Sequence, residues 1–356
     1  MGKVVVFTLA VAALSLLLGE RVMNLRKRAL ASRELVKKHL PNCVFLKDLE
    51  NGSNDITILD DGIAFISTGR KVPGLPTSDA PGKIFYLDLQ DPDLNPEEMR
   101  ISGNFDLESF NPHGISLYMD PTDNKIYLFV INHPQQNSQV EVFIYDEGNI
   151  SLLHVKTIKH ELLHSLNDIV AVGVDSFYAT NDHYFTQDTI MAYVEPFLDQ
   201  PWCNVVFYSP GEVKVASEGY YIANGINISP DRKHIYVVDI LDHKVHVLER
   251  QHDNSLASVK AVDVGSLCDN AEVDLESGDL WLGCHPNGWK AFIFDPQDPP
   301  GSEVIRIQNI HSDQPVVTQV YMDDGSVIIG SSVATVYGEK LLIGTVFHKA
   351  LYCDLR

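Results

Sequence analysis

The stretch ANGINISPDRKHIYVVDILDHKVHVLE, Ala223 to Glu249, decides the fold. It opens on polar residues, runs into a short strand pattern, turns at Pro230-Asp231, continues in a second strand ending at Asp239 and enters a third. Short alternating or apolar runs bounded by Gly, Pro, Asn and Asp are the mark of β-strands joined by turns. The same plan recurs in PHGISLYMDPTDNKIYLFVINHPQQNSQVEVFIYD from Pro112 and in DNAEVDLESGDLWLGCHPNGWKAFIFD from Asp269. LNDIVAVGVDSFYATNDHYF from Leu166, SNDITILDDGIAFIST from Ser53 and VTQVYMDDGSVIIGSS from Val317 supply three more copies. Aligned on the start of the first strand, the copies fall at Asn54, His113, Asn167, Asn224, Asn270 and Thr318. Such a period suits one four-stranded sheet per copy, and six sheets set radially make an all-β, six-bladed β-propeller.

In a propeller the first strand of each blade lines the central channel, so the polar starts converge on one mouth. The second strand runs antiparallel to the first and ends at that same face. This brings His133, Asp182 or His183, Asp239 and His285 to the mouth as a second ring. Amide and carboxylate oxygens are hard ligands, and roughly 6 to 8 of them around one point is the calcium pattern, whereas zinc selects His and Cys. The candidates are Asn54, Asn167, Asn224, Asp269 and Asn270 at one depth, with Asp55 and Asp168 one residue further on. Neighbours along a strand face opposite ways, which favours two cation sites at different depths. His113 and His133 come from adjoining strand ends of one blade and form a candidate acid/base pair. No G-x-S-x-G nucleophile motif is present.

The 356 residues are 45% hydrophobic and carry a formal charge of -21. Residues 1–40 hold 8 Lys/Arg against 2 Asp/Glu, leaving 19 basic and 46 acidic residues in 41–356. So acidic a body excludes nucleic-acid binding as its main task, because phosphate neutralisation needs clustered Lys/Arg. Lys3 followed by the apolar run Val4 to Leu18 has the form of a secretory signal, and no small-residue cleavage site follows it, which favours a retained anchor. The next stretch, Val22 to Leu40, has apolar residues at helical spacing among Arg and Lys and reads as an amphipathic interfacial helix. Two units result: a signal or anchor with its helix at 1–40, and a propeller at 41–356.

FNPHGIS, LNDIVAVG, TNDHYF, ANGINISPD, GDLWLGCHPNG and KLLIGTVFHKALYC together resemble the paraoxonase family, from about Leu40 to the C-terminus. The resemblance implies a six-bladed propeller, two calcium ions and calcium-dependent hydrolysis of lactones and aryl esters, with weak organophosphate hydrolysis as a side activity. It places Asn167, Asn224, Asp269 and Asn270 on a catalytic calcium, and Asp55, Asp168 and the main-chain oxygen of Ile115 on a structural one. His113 becomes the base that activates water and His133 its shuttle partner, with Asp269 an alternative base or nucleophile. His183 and His285 become pocket residues, and Val72, Ile222, Trp289, Phe294 and Val346 are the wall positions that set substrate choice. Where the family pattern has Glu before Asp this chain has Asn54-Asp55, so the catalytic site keeps one carboxylate instead of two and weaker calcium binding is expected.

The resemblance also pairs Cys43 with Cys353. A bridge across so long a loop is worth on the order of 4 to 5 kcal/mol in the chain-entropy model, and bridges persist in oxidising compartments. The protein is therefore expected outside the cell or in a lumen, membrane-associated, with residues 1–40 meeting a membrane or lipoprotein surface and oligomers compatible with that arrangement. Cys203, Cys268 and Cys284 are read as small buried apolar groups, a Cys268–Cys284 bridge across the hairpin near Glu276-Ser277 being the alternative. Of the sequons at Asn51, Asn149 and Asn227, only Asn149 is expected to be exposed and glycosylated. The competing functional reading is a catalytically weak, lipid-associated binding propeller with purely structural calcium, for which His113 and His133 have no use.

Overall fold

A computed structural model describes residues 2–72, 75–76, 78–186 and 189–356. Six antiparallel sheets follow one another along the chain, with inner strands Asp55–Ile58, Pro112–Met119, Leu166–Gly173, Ala223–Ile228, Cys268–Val273 and Ser331–Tyr337. Each inner strand packs against the next and the last returns to the first, closing a ring. The core is six wedges between neighbouring blades, not one central mass. Phe129 and Ile131 of blade 2, for example, meet Ile169 and Phe177 of blade 3, because alternate residues of each strand face the neighbouring sheet.

The ring is closed by Val44–Phe45, which pairs antiparallel with Leu351 and Tyr352 as the outermost strand of blade 6. Cys43–Cys353 locks that seam with Cα atoms 4.1 Å apart. Blade 2 is widened to five strands by Arg100–Ser102, which runs parallel to Ser151–Leu153.

The sixth copy was expected at Thr318, and that placement is wrong. Val316–Asp323 is the outermost strand of blade 5, paired with Ser302–Gln308. Blade 6 starts instead at Ser331-Ser332, polar residues without the Asn or Asp that marks blades 1, 3, 4 and 5. The N-terminal reading also changes. One helix, Gly2–Arg28, contains the apolar run and the first part of the basic stretch, and from Val5 to Arg28 it is long and apolar enough to cross a membrane. Residues 29–40 are not an amphipathic helix but a strap laid over the propeller. Its amides find partners there: Ala31 N donates to Pro286 O, Ser32 N to Gly265 O and Lys38 N to Met322 O. Arg33 pairs with the fully buried Glu303.

Candidate active site

Four inner strands start with a register shift that sets two residues against one on the second strand. The doubled pairs are His113-Gly114, Asn167-Asp168, Asn224-Gly225 and Asp269-Asn270. A β-bulge re-aims side chains and ends regular pairing, which is why bulges gather at active sites. Here the bulged residues include the candidate ligands Asn167, Asp168, Asn224, Asp269 and Asn270. Their crowding leaves no room for side chains between them: a Cβ on Gly114 would lie 2.5 Å from Asp168 Oδ1, and one on Gly225 2.6 Å from Asp269 O.

The upper part of the channel holds a set of buried oxygens with nothing to bind. Asn54, Asn167, Asn224 and Asn270 are 1%, 4%, 6% and 1% exposed, and the Oδ1 atom of each lacks a hydrogen-bond donor. An unpaired buried acceptor costs about 1–3 kcal/mol, so four together are a standing cost that a cation would remove. Asp269, buried beside them, is the carboxylate of this set, and burial pushes its pKa up to about 7 against the field of Arg70. Neutral amide oxygens plus one carboxylate suit calcium by donor type.

Below them, Asp55 Oδ2 accepts from Ile115 N at 2.7 Å and Asp168 Oδ2 from Ile226 N at 2.7 Å, so each carboxylate ties its own blade to the next. The other oxygens accept from Ile56 N and Ile169 N. Burial raises Asp55 to about 6; burial and the nearby Asp55 push Asp168 well above the usual carboxylate range. Ile115, expected as a main-chain oxygen ligand, meets this level through its amide N–H.

At the mouth a sixfold hydrogen bond repeats: Gly69, His133, Asp182, Ile240, His285 and Val346 each donate from N to the residue range just before the inner strand of their blade, at 2.9–3.1 Å. This pattern corrects Asp239 to Ile240. Asp239 is turned inward, its oxygens taken by Tyr221 N at 2.8 Å and Ile222 N at 3.0 Å. With Asp242 and His246 it could by spacing hold an ion, but Asp242 already pairs with Arg28 and Lys244. The mouth is thus polar at blades 2, 3 and 5 and apolar at blades 4 and 6, where Ile240, Ile222 and Val346 lie. Val72 and Trp289 are half-buried, and Phe294 meets Phe347 edge-on with centroids 5.0 Å apart.

His113 Nδ1 lies 3.2 Å from His133 Nε2, and His133 Nδ1 lies 3.2 Å from Ser138 Oγ. Arg70 Nη1 sits against His113 Nε2. Arg70 can only donate, so His113 Nε2 accepts, its Nδ1–H donates to His133 Nε2, and His133 Nδ1–H donates to Ser138. Burial, then Arg70, hold both imidazoles below their ordinary range, His133 at about 3, so the pair is neutral at pH 7. Arg70 was missed from the sequence. It follows Gly69, the blade 1 counterpart of His133, so the second-ring rule applied to blade 1 would have found it.

His183 Nδ1 is 2.7 Å from Asp182 Oδ1, and Asp182 Oδ2 accepts from Asn167 Nδ2 at 2.9 Å. Asp182, chiefly, raises His183 to about 9; burial is the largest single influence on Asp182 and works to raise it, but His183, Asn167 and Arg70 together outweigh burial and hold it at about 2. The sign follows. Stability from His183 is complete below its unfolded pKa of 6.5 and is lost as pH rises through about 9; that from Asp182 is lost as pH falls from 3.8 toward 2. Thermal unfolding followed from pH 7 to 9.5 should show a falling midpoint that His183→Gln flattens; an equal slope in both proteins would remove this pair from the account. His285 Nδ1 lies 3.3 Å from Ser331 O, and burial lowers its pKa.

Cys268 and Cys284 are joined, contrary to the reading of both as free thiols, and Cys203 is the free cysteine, buried. The cause is register: Cys268 and Cys284 are direct partners across the strands that the hairpin connects. The bridge flanks the Asp269-Asn270 bulge. It encloses a loop of 16 residues, so Cys268→Ser/Cys284→Ser should lose about 3 kcal/mol in urea unfolding by the chain-entropy model. A loss no larger than that of Cys203→Ser would contradict this. Asn149 is exposed as expected, but so is Asn51, while Asn227 Nδ2 is engaged with Ala271 O and Glu272 Oε1.

Propeller, bulged polar channel and histidine pair together define a β-propeller with a candidate hydrolytic site. A family model described as Arylesterase matches residues 34–355, and the chain belongs to that family. It is 56% identical over 357 residues to a serum paraoxonase/arylesterase 2 of Gallus gallus and 55% identical over 357 residues to that of Homo sapiens, all of each chain being covered. To the serum paraoxonase/lactonase 3 of Homo sapiens it is 50% identical over 358 residues, again across both full lengths. Among solved structures, a putative gluconolactonase superposes with a TM-score of 0.54 at 13% identity, over 91% of this chain and 97% of that one, and shares the fold.

Proposed function

We propose that the chain hydrolyses lactones and aryl esters in a calcium-dependent reaction, with one ion at each level of the channel. The observation that carries this reading is the set of four unpaired, buried asparagine oxygens beside Asp269, linked to the His113–His133 pair by Arg70, which touches His113 and feels the field of Asp269. Asn54, Asn167, Asn224, Asp269 and Asn270 would hold the upper ion; Asp55, Asp168 and the Ile115 main chain the lower. When bound, the upper ion polarises the substrate carbonyl.

The chain's own residues then do the following. His113 Nε2 takes the proton of the attacking water, and its Nδ1 proton passes to His133, whose own Nδ1–H is steadied by Ser138. The proton returns to the leaving alkoxide or phenoxide oxygen as the C–O bond breaks. Arg70 covers that same Nε2 atom, so the base is freed when the guanidinium moves toward Asp182 or Asp269, whose fields it already feels. Asp269 in the role of base or nucleophile is the second reading, favoured by its raised pKa. Ile222, Ile240 and Val346 supply an apolar wall for the acyl part of a substrate.

The helix Gly2–Arg28 is held to the propeller side by Arg21, Asn24 and Arg28, all bonded to Asp199. Asp199 follows the short helix Thr189–Leu198, which exposes Val194 and Phe197. This arrangement suits residence at a membrane or lipoprotein surface, and the two disulfides suit an oxidising, extracellular or lumenal setting. Purified protein in calcium buffer, offered phenyl acetate and a δ-lactone, should turn over both; a folded protein that turns over neither supports the binding-propeller reading.

A further inference from the structure

The asparagines of the three sequons do different things in the folded chain. Asn227 is engaged between two blades, its Nδ2 donating to Ala271 O at 2.9 Å and to Glu272 Oε1 at 3.1 Å. Asn149 is exposed, with Nδ2 on Asp146 Oδ2 at 2.7 Å across a turn. Asn51 is exposed too, and its side-chain amide meets no partner among the described residues. Only its main chain is used: Asn51 O accepts from Gly69 N at 3.0 Å. That bond belongs to the sixfold set at the mouth, in which Ile222 O takes Ile240 N in blade 4 and Leu267 O takes His285 N in blade 5. Asn51 therefore stands on the rim of the channel with its side chain in solvent.

The other two sequon residues belong to the seam between blades 1 and 6. Gly52 has a φ of +86°, and a Cβ there would lie 2.4 Å from Val346 O, so only glycine fits. Gly52 N donates to His348 O and Ser53 N to Thr345 O, while Thr345 N donates to the fully buried Ser53 Oγ. Once the ring is closed no transferase reaches Ser53, so modification of Asn51 is confined to the time before closure. That time is long. Thr345 lies 292 residues beyond Ser53, and at about 5–20 residues per second synthesis reaches it roughly 15–60 s later. Asn227 waits for Ala271 only 44 residues on. The Asn51 sequon thus stays open while the other five blades are made.

We propose that Asn51 carries an N-linked oligosaccharide, rooted on the rim of the channel, which screens the mouth against bulky substrates. The donor is a lipid-pyrophosphate-linked oligosaccharide of the secretory lumen. Asn51 Nδ2 bonds to C1 of the first sugar, the bond from C1 to the pyrophosphate oxygen breaks, the amide gives up one proton and the lipid pyrophosphate leaves. Folding then closes the seam beside the sugar without disturbance, because the amide that carries it takes no part in the seam. Gly52, next to it, packs on Val346 O, so the sugar is rooted at the apolar side of the mouth. The inference rests on the lumenal setting given above, and its screening role rests on the hydrolase reading as well.

The test uses the full-length protein made in animal cells with a secretory pathway. Cleavage after Lys and Arg puts the sequons in separate peptides, 48–70, 126–156 and 215–232, and mass spectrometry of the intact glycopeptides reads each one. Asn51 and Asn149 should carry sugar and Asn227 none. Asn51→Gln keeps the main-chain bond to Gly69 and removes the sequon, so the ratio of kcat/KM for a long-chain aryl ester to that for phenyl acetate should rise by about twofold or more. If that variant does not fold, enzymatic trimming of the wild-type oligosaccharide to its first sugar should raise the same ratio. A bare Asn51 in protein whose Cys43–Cys353 bridge is formed would overturn the proposal and leave the lumenal setting standing; a bare Asn51 with both cysteines as free thiols would overturn the setting and the proposal together. An occupied Asn51 with an unchanged ratio would overturn the screening role. No turnover by the glycosylated, folded protein would overturn the hydrolase reading and the screening role with it.

Discussion

Asp269→Asn should lower kcat/KM for phenyl acetate by about a thousandfold or more, a loss of about 4 kcal/mol in transition-state stabilisation. The reason is charge. The upper oxygen set consists of Asn54, Asn167, Asn224 and Asn270 plus this one carboxylate, so the substitution leaves a neutral cage. Calcium affinity falls with ligand charge, and a divalent ion stripped of water without a compensating carboxylate is held poorly. The nearly unchanged shape makes gross misfolding an unsuitable explanation for the loss. If Asp269 serves only as a ligand, excess calcium should restore part of the activity; if it is also base or nucleophile, calcium binding can be saturated while kcat stays low. An enzyme retaining a tenth or more of wild-type kcat/KM at limiting calcium would contradict both roles.

His113→Gln should cost about 10² to 10⁴ in kcat, the usual worth of a positioned general base, with calcium titration unchanged. His133→Gln should cost less, because His133 meets the reacting proton only through His113, 3.2 Å away. Residues that act as a unit are strongly non-additive. The double variant His113→Gln/His133→Gln should therefore be close to His113→Gln alone, and losses that simply multiply would show that the two rings act separately. The pair is neutral at pH 7 because burial and Arg70 hold it so. Arg70→Met removes the cation, so the pH at which activity falls on the acid side should move upward; a downward move would be the wrong sign.

Much of this was legible in the sequence because the start of an inner strand leaves a recurring mark, a polar residue and its neighbour and then an aliphatic or small residue. Asn54-Asp55-Ile56, Asn167-Asp168-Ile169, Asn224-Gly225-Ile226 and Asp269-Asn270-Ala271 carry it. Blade 6 begins Ser331-Ser332-Val333, whose hydroxyls satisfy backbone oxygens and give no acidic or amide signal. The outer strand of blade 5 imitated an inner strand instead, because Asp323-Asp324-Gly325 ends it in a turn as Asp60-Asp61-Gly62 ends the inner strand of blade 1. The mouth depended on an alignment that no pattern of hydrophobicity contains: one residue separates Asp239, whose oxygens cap backbone amides, from Ile240, the true counterpart of His133 and Asp182. Basic and apolar residues at helical spacing over Val22 to Leu40 could not reveal a strap, since it is the propeller's edge carbonyls at Gly265, Pro286 and Met322 that draw the backbone out after Arg28. The second disulfide needed the register of Cys268 against Cys284, which follows from where the hairpin turns.

The central claim is that calcium held by the bulged residues makes this propeller a hydrolase. Phenyl acetate turnover, measured on protein stripped by a chelator mild enough to leave the β-sheet circular dichroism intact and then retitrated with calcium, tests it most directly. Activity should vanish while the fold persists and return as calcium is restored. Undiminished turnover by the stripped, folded protein would contradict the account.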